Sequence, residues 1–170
     1  MKDHLLRRIE LVANICIIVV ALVICGAIIK RFLLKSPATA RDVPGVTAGT
    51  RINLIDVDWA RNGRTLLLVL STGCKFCSAS APFYQNLVSK TVSSNGTKLI
   101  AVLPQNVEQA REYLQSINVP IEDVKQASPA SVGARATPTL ILVNNAGLVT
   151  DSWVGQLSAD KEAEVLARLQ

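Results

Sequence analysis

Hydrophobic residues are distributed along this chain in three successive patterns. From Leu11 to Ile29 (LVANICIIVVALVICGAII) they run almost unbroken, with no charge and Asn14 as the one strongly polar side chain. That length matches the roughly 20 residues a helix needs to cross a bilayer. Ser36 to Gly49 follows, rich in small residues, Pro and Gly, and predicts a tether. From Arg51 onward apolar positions come in short bursts separated by turn residues, the pattern of a globular domain. The chain thus divides into a tail over 1–10, an anchor over 11–29, a linker over 30–50 and a domain over 51–170.

Within the domain, Arg51 to Val57 alternates apolar and polar residues and predicts a strand. Asn62-Gly63 is a turn signal. Thr65 to Leu70 is nearly all apolar and predicts a central strand buried on both faces, and Lys98 to Leu103 predicts a second. Ala79 to Lys90 predicts a helix kinked by Pro82, ending at Ser94-Asn95-Gly96. Asn106 can cap a helix running to about Ile117, before Pro120. Val124 to Ala127 reads as a short strand and Ser128 to Val132 as one helical turn. Thr139 to Val143 and Leu148 to Val154 form a predicted pair joined at Asn144-Asn145-Ala146-Gly147. Ser158 precedes a helix over Ala159 to Leu169. The order β-β-α-β-α-β-β-α describes an α/β domain, one sheet covered by helices, and about 120 residues suffice to bury its core.

Charge sharpens the division. The formal net charge is +5, and residues 1–41 account for it with seven basic and two acidic side chains. The remainder balances 11 basic against 11 acidic residues, so no clustered basic face points to nucleic acid. Basic residues bracket the apolar stretch: Lys2, Arg7 and Arg8 before it, Lys30, Arg31 and Lys35 after it. A signal-anchor with a cytoplasmic N-terminus is the expectation. A buried soluble helix and a signal peptide cleaved after Ala38-Thr39-Ala40 are the alternatives.

Of four cysteines, Cys16 and Cys25 fall inside the apolar stretch and read as small fillers. Cys74 and Cys77 form a C-x-x-C where a predicted strand gives way to a helix. Dithiol–disulfide exchange needs that arrangement. At a helix N-terminus unpaired N–H groups favour a thiolate on Cys74, and Cys77 follows one turn later on the same side. Lys75 adds a cation beside Cys74, or is a solvated surface charge, and Phe76 is placed to shield the sulfurs or touch a substrate. A zinc site would need four ligands, and the one histidine, His4, precedes the apolar stretch, so no metal is expected.

Three separated segments, Leu66 to Cys77 (LLLVLSTGCKFC), Val132 to Leu142 (VGARATPTLIL) and Gly147 to Gly155 (GLVTDSWVG), resemble the thioredoxin superfamily. More narrowly they resemble its membrane-anchored TlpA/ResA-like thiol–disulfide oxidoreductases. The resemblance covers roughly Ile52 to Leu169. It implies a thioredoxin-like fold with a central mixed sheet, preceded by a single transmembrane helix. It implies a cis Thr137-Pro138 bond facing the dithiol, with Thr137 and Pro138 meeting an extended substrate peptide. The redox-active disulfide Cys74–Cys77 would stand in place of any cofactor. Protein dithiols or disulfides and a membrane electron-transfer partner would be the partners. The bacterial inner membrane would be the location, with the domain facing the periplasm or cell exterior and acting as a reductant.

Several positions depart from the family pattern. Phe76 stands where proline is usual and Gly73 where tryptophan is usual. Leu68 and Ser80 replace the carboxylates that serve as proton acceptors. Two other functions compete. A peroxiredoxin-like peroxidase wants P-x-x-x-[ST]-x-x-C; Ser71 fits, but Leu67 replaces the proline. A non-catalytic binding module would leave the dithiol idle. Trp59 and Trp153 are expected against the sheet edges, Arg135 at the surface, and Asp56, Asp58, Glu108 and Glu112 as solvated charges.

Overall fold

The computed structural model describes residues 20, 44–94 and 96–169. Two units divide the chain, Met1–Thr39 and Ala40–Gln170, and every element below belongs to the second. The predicted membrane span lies outside the described residues apart from Val20, as do Cys16, Cys25 and His4. Among the described residues no helix is long and apolar enough to cross a membrane.

The elements in order are α1 (Trp59–Asn62), β1 (Arg64–Val69), α2 (Lys75–Ala79), α3 (Ala81–Ser94), β2 (Thr97–Leu103), α4 (Val107–Ser116), β3 (Val124–Gln126), a 3-10 turn (Pro129–Val132), β4 (Thr139–Val143), β5 (Val149–Val154) and α5 (Ala159–Arg168). The five strands lie in the order β3-β2-β1-β4-β5. β1 is central, parallel to β2 and antiparallel to β4, with Val69 between Val102 and Thr139. Its residues 65–69 are all buried, as a strand covered on both faces requires.

Crossovers from β1 to β2 and from β2 to β3 step the same way across the sheet. Right-handed connections then place both helices on one face. The packing agrees. Leu66, Leu68, Ala101, Leu103, Leu140 and Leu142 meet Phe83, Tyr84 and Leu87 of α3, Ala110 and Leu114 of α4, and Val165 of α5. The opposite side chains of the same strands, Leu67, Val69, Ile100, Val102, Ile141 and Val143, form a second cluster. Val46, Ile52, Leu54, Val57, Trp59, Val132 and Ala134 cover it, from the segment before β1 and the 3-10 turn.

The predicted strand over Arg51 to Val57 does not form. Arg51 makes a single bridge to Leu148, and the Ile52 N–H donates to Gly147 O (2.9 Å) before the chain turns through Asp56 at φ 58°. The alternation there records one apolar side laid across a sheet face, not a strand in the ladder. Asn62-Gly63 ends α1, with Gly63 at φ 66° and the Asp58 side chain capping the other end. The kink expected at Pro82 is a full break two residues earlier. α2 stops at Ser80, and α3 opens at Ala81 with Pro82 in its first turn, where a missing N–H costs little.

The hairpin forms as predicted, with Asn144 Oδ1 accepting from the Ala146 and Leu148 N–H groups (both 3.0 Å). Gly147 sits at φ 75°, and a Cβ there would meet the Trp59 ring at 2.9 Å, so the turn needs glycine. A bulge shifts the β4–β5 register between Leu142 and Val143. It explains why Val149 and Trp153, four residues apart, reach opposite clusters.

Candidate active site

Beyond β1, the Leu70 N–H still donates to Val102 O (2.9 Å), so the strand carries its direction into the loop at residues 71–73. The Cys74 N–H then bonds Ser71 O (3.1 Å) and turns the chain into α2. Cys74 is the N-cap of that helix, with extended φ −87° and ψ 108°. Its sulfur takes the place a serine or aspartate oxygen would hold, accepting the Cys77 N–H at 3.2 Å. The two predicted cysteines are therefore brought together, both as free thiols.

They differ in access. Cys74 is half-buried and Cys77 is fully buried against Leu66, Ala81 and Tyr84. Burial is the main cause that pushes the Cys77 thiol up to about 12, and the neighbouring Cys74 adds to it, against smaller opposing contributions from Ser71 and Thr137. Cys77 is thus a protonated thiol near neutral pH, and Cys74 is the less buried residue of the two.

The predicted partner segment arrives from the other half of the fold. The Cys74 thiol donates to Thr137 O at 3.2 Å. Thr137-Pro138 is cis, and Pro138 is buried while Thr137 is half-buried. Two bonds hold the segment: the Thr139 hydroxyl donates to Ala136 O (2.8 Å), and the Gly155 N–H donates to Pro138 O (2.7 Å). Phe76 is 57% exposed beside the dithiol, a large apolar side chain left in solvent. Lys75 is exposed on the first turn of α2. Arg135, Asp56, Asp58, Glu108 and Glu112 are exposed as expected. Trp153 is buried, with Nε1 donating to Glu164 (3.1 Å).

Three hydroxyls lie near the sulfurs, and of these only Ser80 was singled out by the sequence, as a departure from the family pattern. Ser80, where the resemblance wants an acid, is buried and donates to Phe76 O (2.9 Å). Tyr113 of α4 pairs with Ser78 (3.2 Å). Tyr84 of α3 is fully buried, and its hydroxyl has no partner in hydrogen-bond geometry. Burial raises both phenols above their ordinary range, and a charge on either cysteine would raise them further. For Tyr84, Ser80 lies near enough to offset this in part, though not in bonding geometry. Tyr84 follows Cys77 by seven residues but across the break between α2 and α3, so helical periodicity gave no signal for it. Tyr113 had none either, because it comes from a separate helix.

No protein-family model matches this chain, and no curated protein matches it. Solved structures do. A thiol:disulfide interchange protein DsbE from Chlorobium tepidum is 23% identical, with 74% of this chain and 99% of that one covered at a TM-score of 0.57. The thioredoxin domain of a thiol-disulfide oxidoreductase from Bacteroides vulgatus is 12% identical, covering 72% and 97% at 0.55. A thiol-disulfide isomerase from Corynebacterium glutamicum is 13% identical, covering 73% and 92% at 0.52. With the mixed sheet, the C-x-x-C at a helix start and the cis-proline segment beside it, these likenesses establish a thioredoxin-like fold for the domain.

Proposed function

We propose that this chain is a thiol–disulfide oxidoreductase acting on protein disulfides through Cys74 and Cys77. One observation carries the reading: an accessible sulfur at a helix start, 3.2 Å from Thr137 O, with a second, buried cysteine whose N–H it accepts. A zinc site or a structural staple needs no such asymmetry; exchange does.

The Cys74 thiolate attacks one sulfur of a substrate disulfide. That S–S bond breaks, a mixed disulfide forms, and the leaving substrate thiolate takes up a proton. Cys77 then loses its proton and attacks Cys74 Sγ. The mixed disulfide breaks, and the second substrate thiolate is protonated and leaves. Two electrons and two protons pass from the protein dithiol to the substrate, leaving Cys74–Cys77 oxidised. The exposed Phe76 and the backbone at Thr137 border the attacking sulfur, so an extended peptide laid beside Thr137 would bring its cystine within reach. Lys75 adjoins Cys74 at the exposed first position of α2.

The apolar stretch over 11–29 supports a single-pass anchor in the bacterial inner membrane, with the domain on the periplasmic or outer side. There the domain would act as a reductant, recharged by a membrane electron carrier. Replacing Cys74 with Ser should lower the rate of insulin-disulfide reduction about 100-fold or more. Equal rates in the two proteins would defeat the exchange reading.

A further inference from the structure

We infer that Val46 is a positioning residue for the exchange: pressed between β5 and the 3-10 turn, it holds the Thr137-Pro138 segment where an extended substrate peptide meets the Cys74 sulfur. This rests on the exchange reading above. Val46 acts through that segment and not on the substrate itself.

Little holds that segment in place. Between the 3-10 turn and β4 the chain runs from Gly133 to Pro138 outside any ladder. Its carbonyls are taken: Ala136 O by the Thr139 hydroxyl, Thr137 O by the Cys74 thiol and Pro138 O by the Gly155 N–H. The N–H groups of Arg135, Ala136 and Thr137 have no hydrogen-bond partner among the described residues. At its end the stretch is tied down by the cis-proline and β4. At its start the Ala134 N–H donates to Pro129 O (2.9 Å), and the Ala134 side chain is buried. Whatever fixes Gly133 and Ala134 therefore fixes one end of the segment.

Val46 is what meets Gly133. Its Cγ1 lies 3.1 Å from the point a Cβ on Gly133 would occupy, so it packs directly on that backbone. It is buried, in the same apolar cluster as Val132 and Ala134. On its other side the Val46 carbonyl accepts the Ser152 hydroxyl of β5 (2.9 Å), and a Cβ on Gly45 would collide with that serine. The chain then follows β5, an edge strand: the Gly49 N–H donates to Val149 O (2.8 Å), and the Val149 N–H donates to Thr50 O (2.9 Å). Ser152 lies three residues before Gly155, whose N–H holds Pro138 O. Val46 thus bridges the two stretches that flank the Thr137-Pro138 segment, one ahead of it and one behind. Apolar packing fixes position by shape, and a void on one side forfeits the contact and lets the backbone shift.

A peptide and a small reagent separate this role from plain packing. The full chain carries Cys77→Ala, which stops the cycle at the mixed disulfide. It is mixed either with the disulfide-linked dimer of a short uncharged peptide bearing one central cysteine, or with iodoacetamide. Modification of Cys74 is followed by acid quenching and mass spectrometry of its tryptic fragment. Iodoacetamide needs only the sulfur, whereas the peptide also needs the backbone at Thr137. The ratio of the two rates therefore reads the Thr137 side and cancels any change in the sulfur itself. Val46→Ala should lower that ratio about fivefold, the worth of one backbone hydrogen bond to the peptide. Alkylation alone should be unchanged, because β1 and α2 place Cys74. Val46→Thr keeps the shape but sets a hydroxyl among apolar side chains. It should lower the melting temperature while leaving the ratio at the value of the protein with Val46.

A ratio unchanged in Val46→Ala, or lowered alike in both variants, overturns the positioning role and leaves Val46 as packing alone. Absence of any peptide adduct on Cys74 in the protein with Val46 overturns the exchange reading itself, a different result. Should Val46→Ala fail to fold, Ser152→Ala, which frees the Val46 carbonyl at a half-buried serine, should lower the ratio about twofold. No change there again overturns the role.

Discussion

The two faces of the sheet are built from alternate residues of the same strands, yet they are chemically unlike. One carries Leu67, Val69, Ile100, Val102, Ile141, Val143 and Val149 under loops and a short helix. By alternation its buried threonines are Thr65 and Thr139, both at strand ends and both bonded to backbone oxygens (3.5 and 2.8 Å). The other carries mostly leucines under three long helices, and into that layer are set a buried thiol and an unpaired phenol. The aliphatic face has every reason to be stable and no group that can react. The helical face gives up some polar satisfaction, and the two cysteine sulfurs lie at its edge. Stability and chemistry are divided between two sides of one sheet.

Ile141→Ala is the sharpest way to break that division. Ile141 is fully buried on the loop-covered face. Truncation should remove about 2–5 kcal/mol of stability through lost transfer energy and a residual cavity. The alkylation rate of Cys74, read below the unfolding transition, should not move. A slowed or accelerated Cys74 would mean that the two faces are mechanically coupled and that the comparison fails.

A smaller effect should come from pH on the helical face. The Cys77 thiol is raised from its ordinary value of 9.0 to about 12 in the fold. Between those values the unfolded chain has released the proton and the folded one still holds it. The unfolded state is therefore favoured as pH rises, and the contribution is intact below pH 9. The loss cannot exceed about 1.4 kcal/mol per pH unit. Denaturant melts of the reduced protein and of Cys77→Ala, compared from pH 8 to 11, isolate it, since the contribution of Tyr84 is common to both. Parallel curves would show that Cys77 is not held protonated by burial.

The same contrast explains what could be read from the sequence. The central strands and the hairpin were legible because continuous apolar runs and turn residues leave few alternatives. The C-x-x-C was legible because strand, turn and helix cap are adjacent in the chain. Arg51 to Val57 misled, because covering a sheet face with one side of an irregular segment imposes the same alternation as a strand. The bulge near Thr150 and the Ser78–Tyr113 contact were hidden, since both depend on which segments meet across the fold. Within the candidate site, Cys74 and Cys77 stood out by their spacing at a strand-to-helix junction; Thr137 and Pro138 needed the resemblance as well. The phenols needed three dimensions.

The smallest expected effect tests whether the helical face transmits a local defect to the site. Asn106 caps α4, its side-chain oxygen accepting the Gln109 N–H at 2.8 Å in an exposed position. Asn106→Ala should cost about 1 kcal/mol, since water can partly satisfy the freed N–H. α4 also delivers Tyr113 to Ser78, but from nearly two turns farther along, beyond Ala110, whose side chain is buried in the core. Fraying at the first turn should stop at that buried residue. The rates of Cys74 alkylation and of insulin-disulfide reduction should then be unchanged while the melting transition falls. If either rate fell as well, the cap would be steering Tyr113, and α4 would belong to the proposed site rather than to its support.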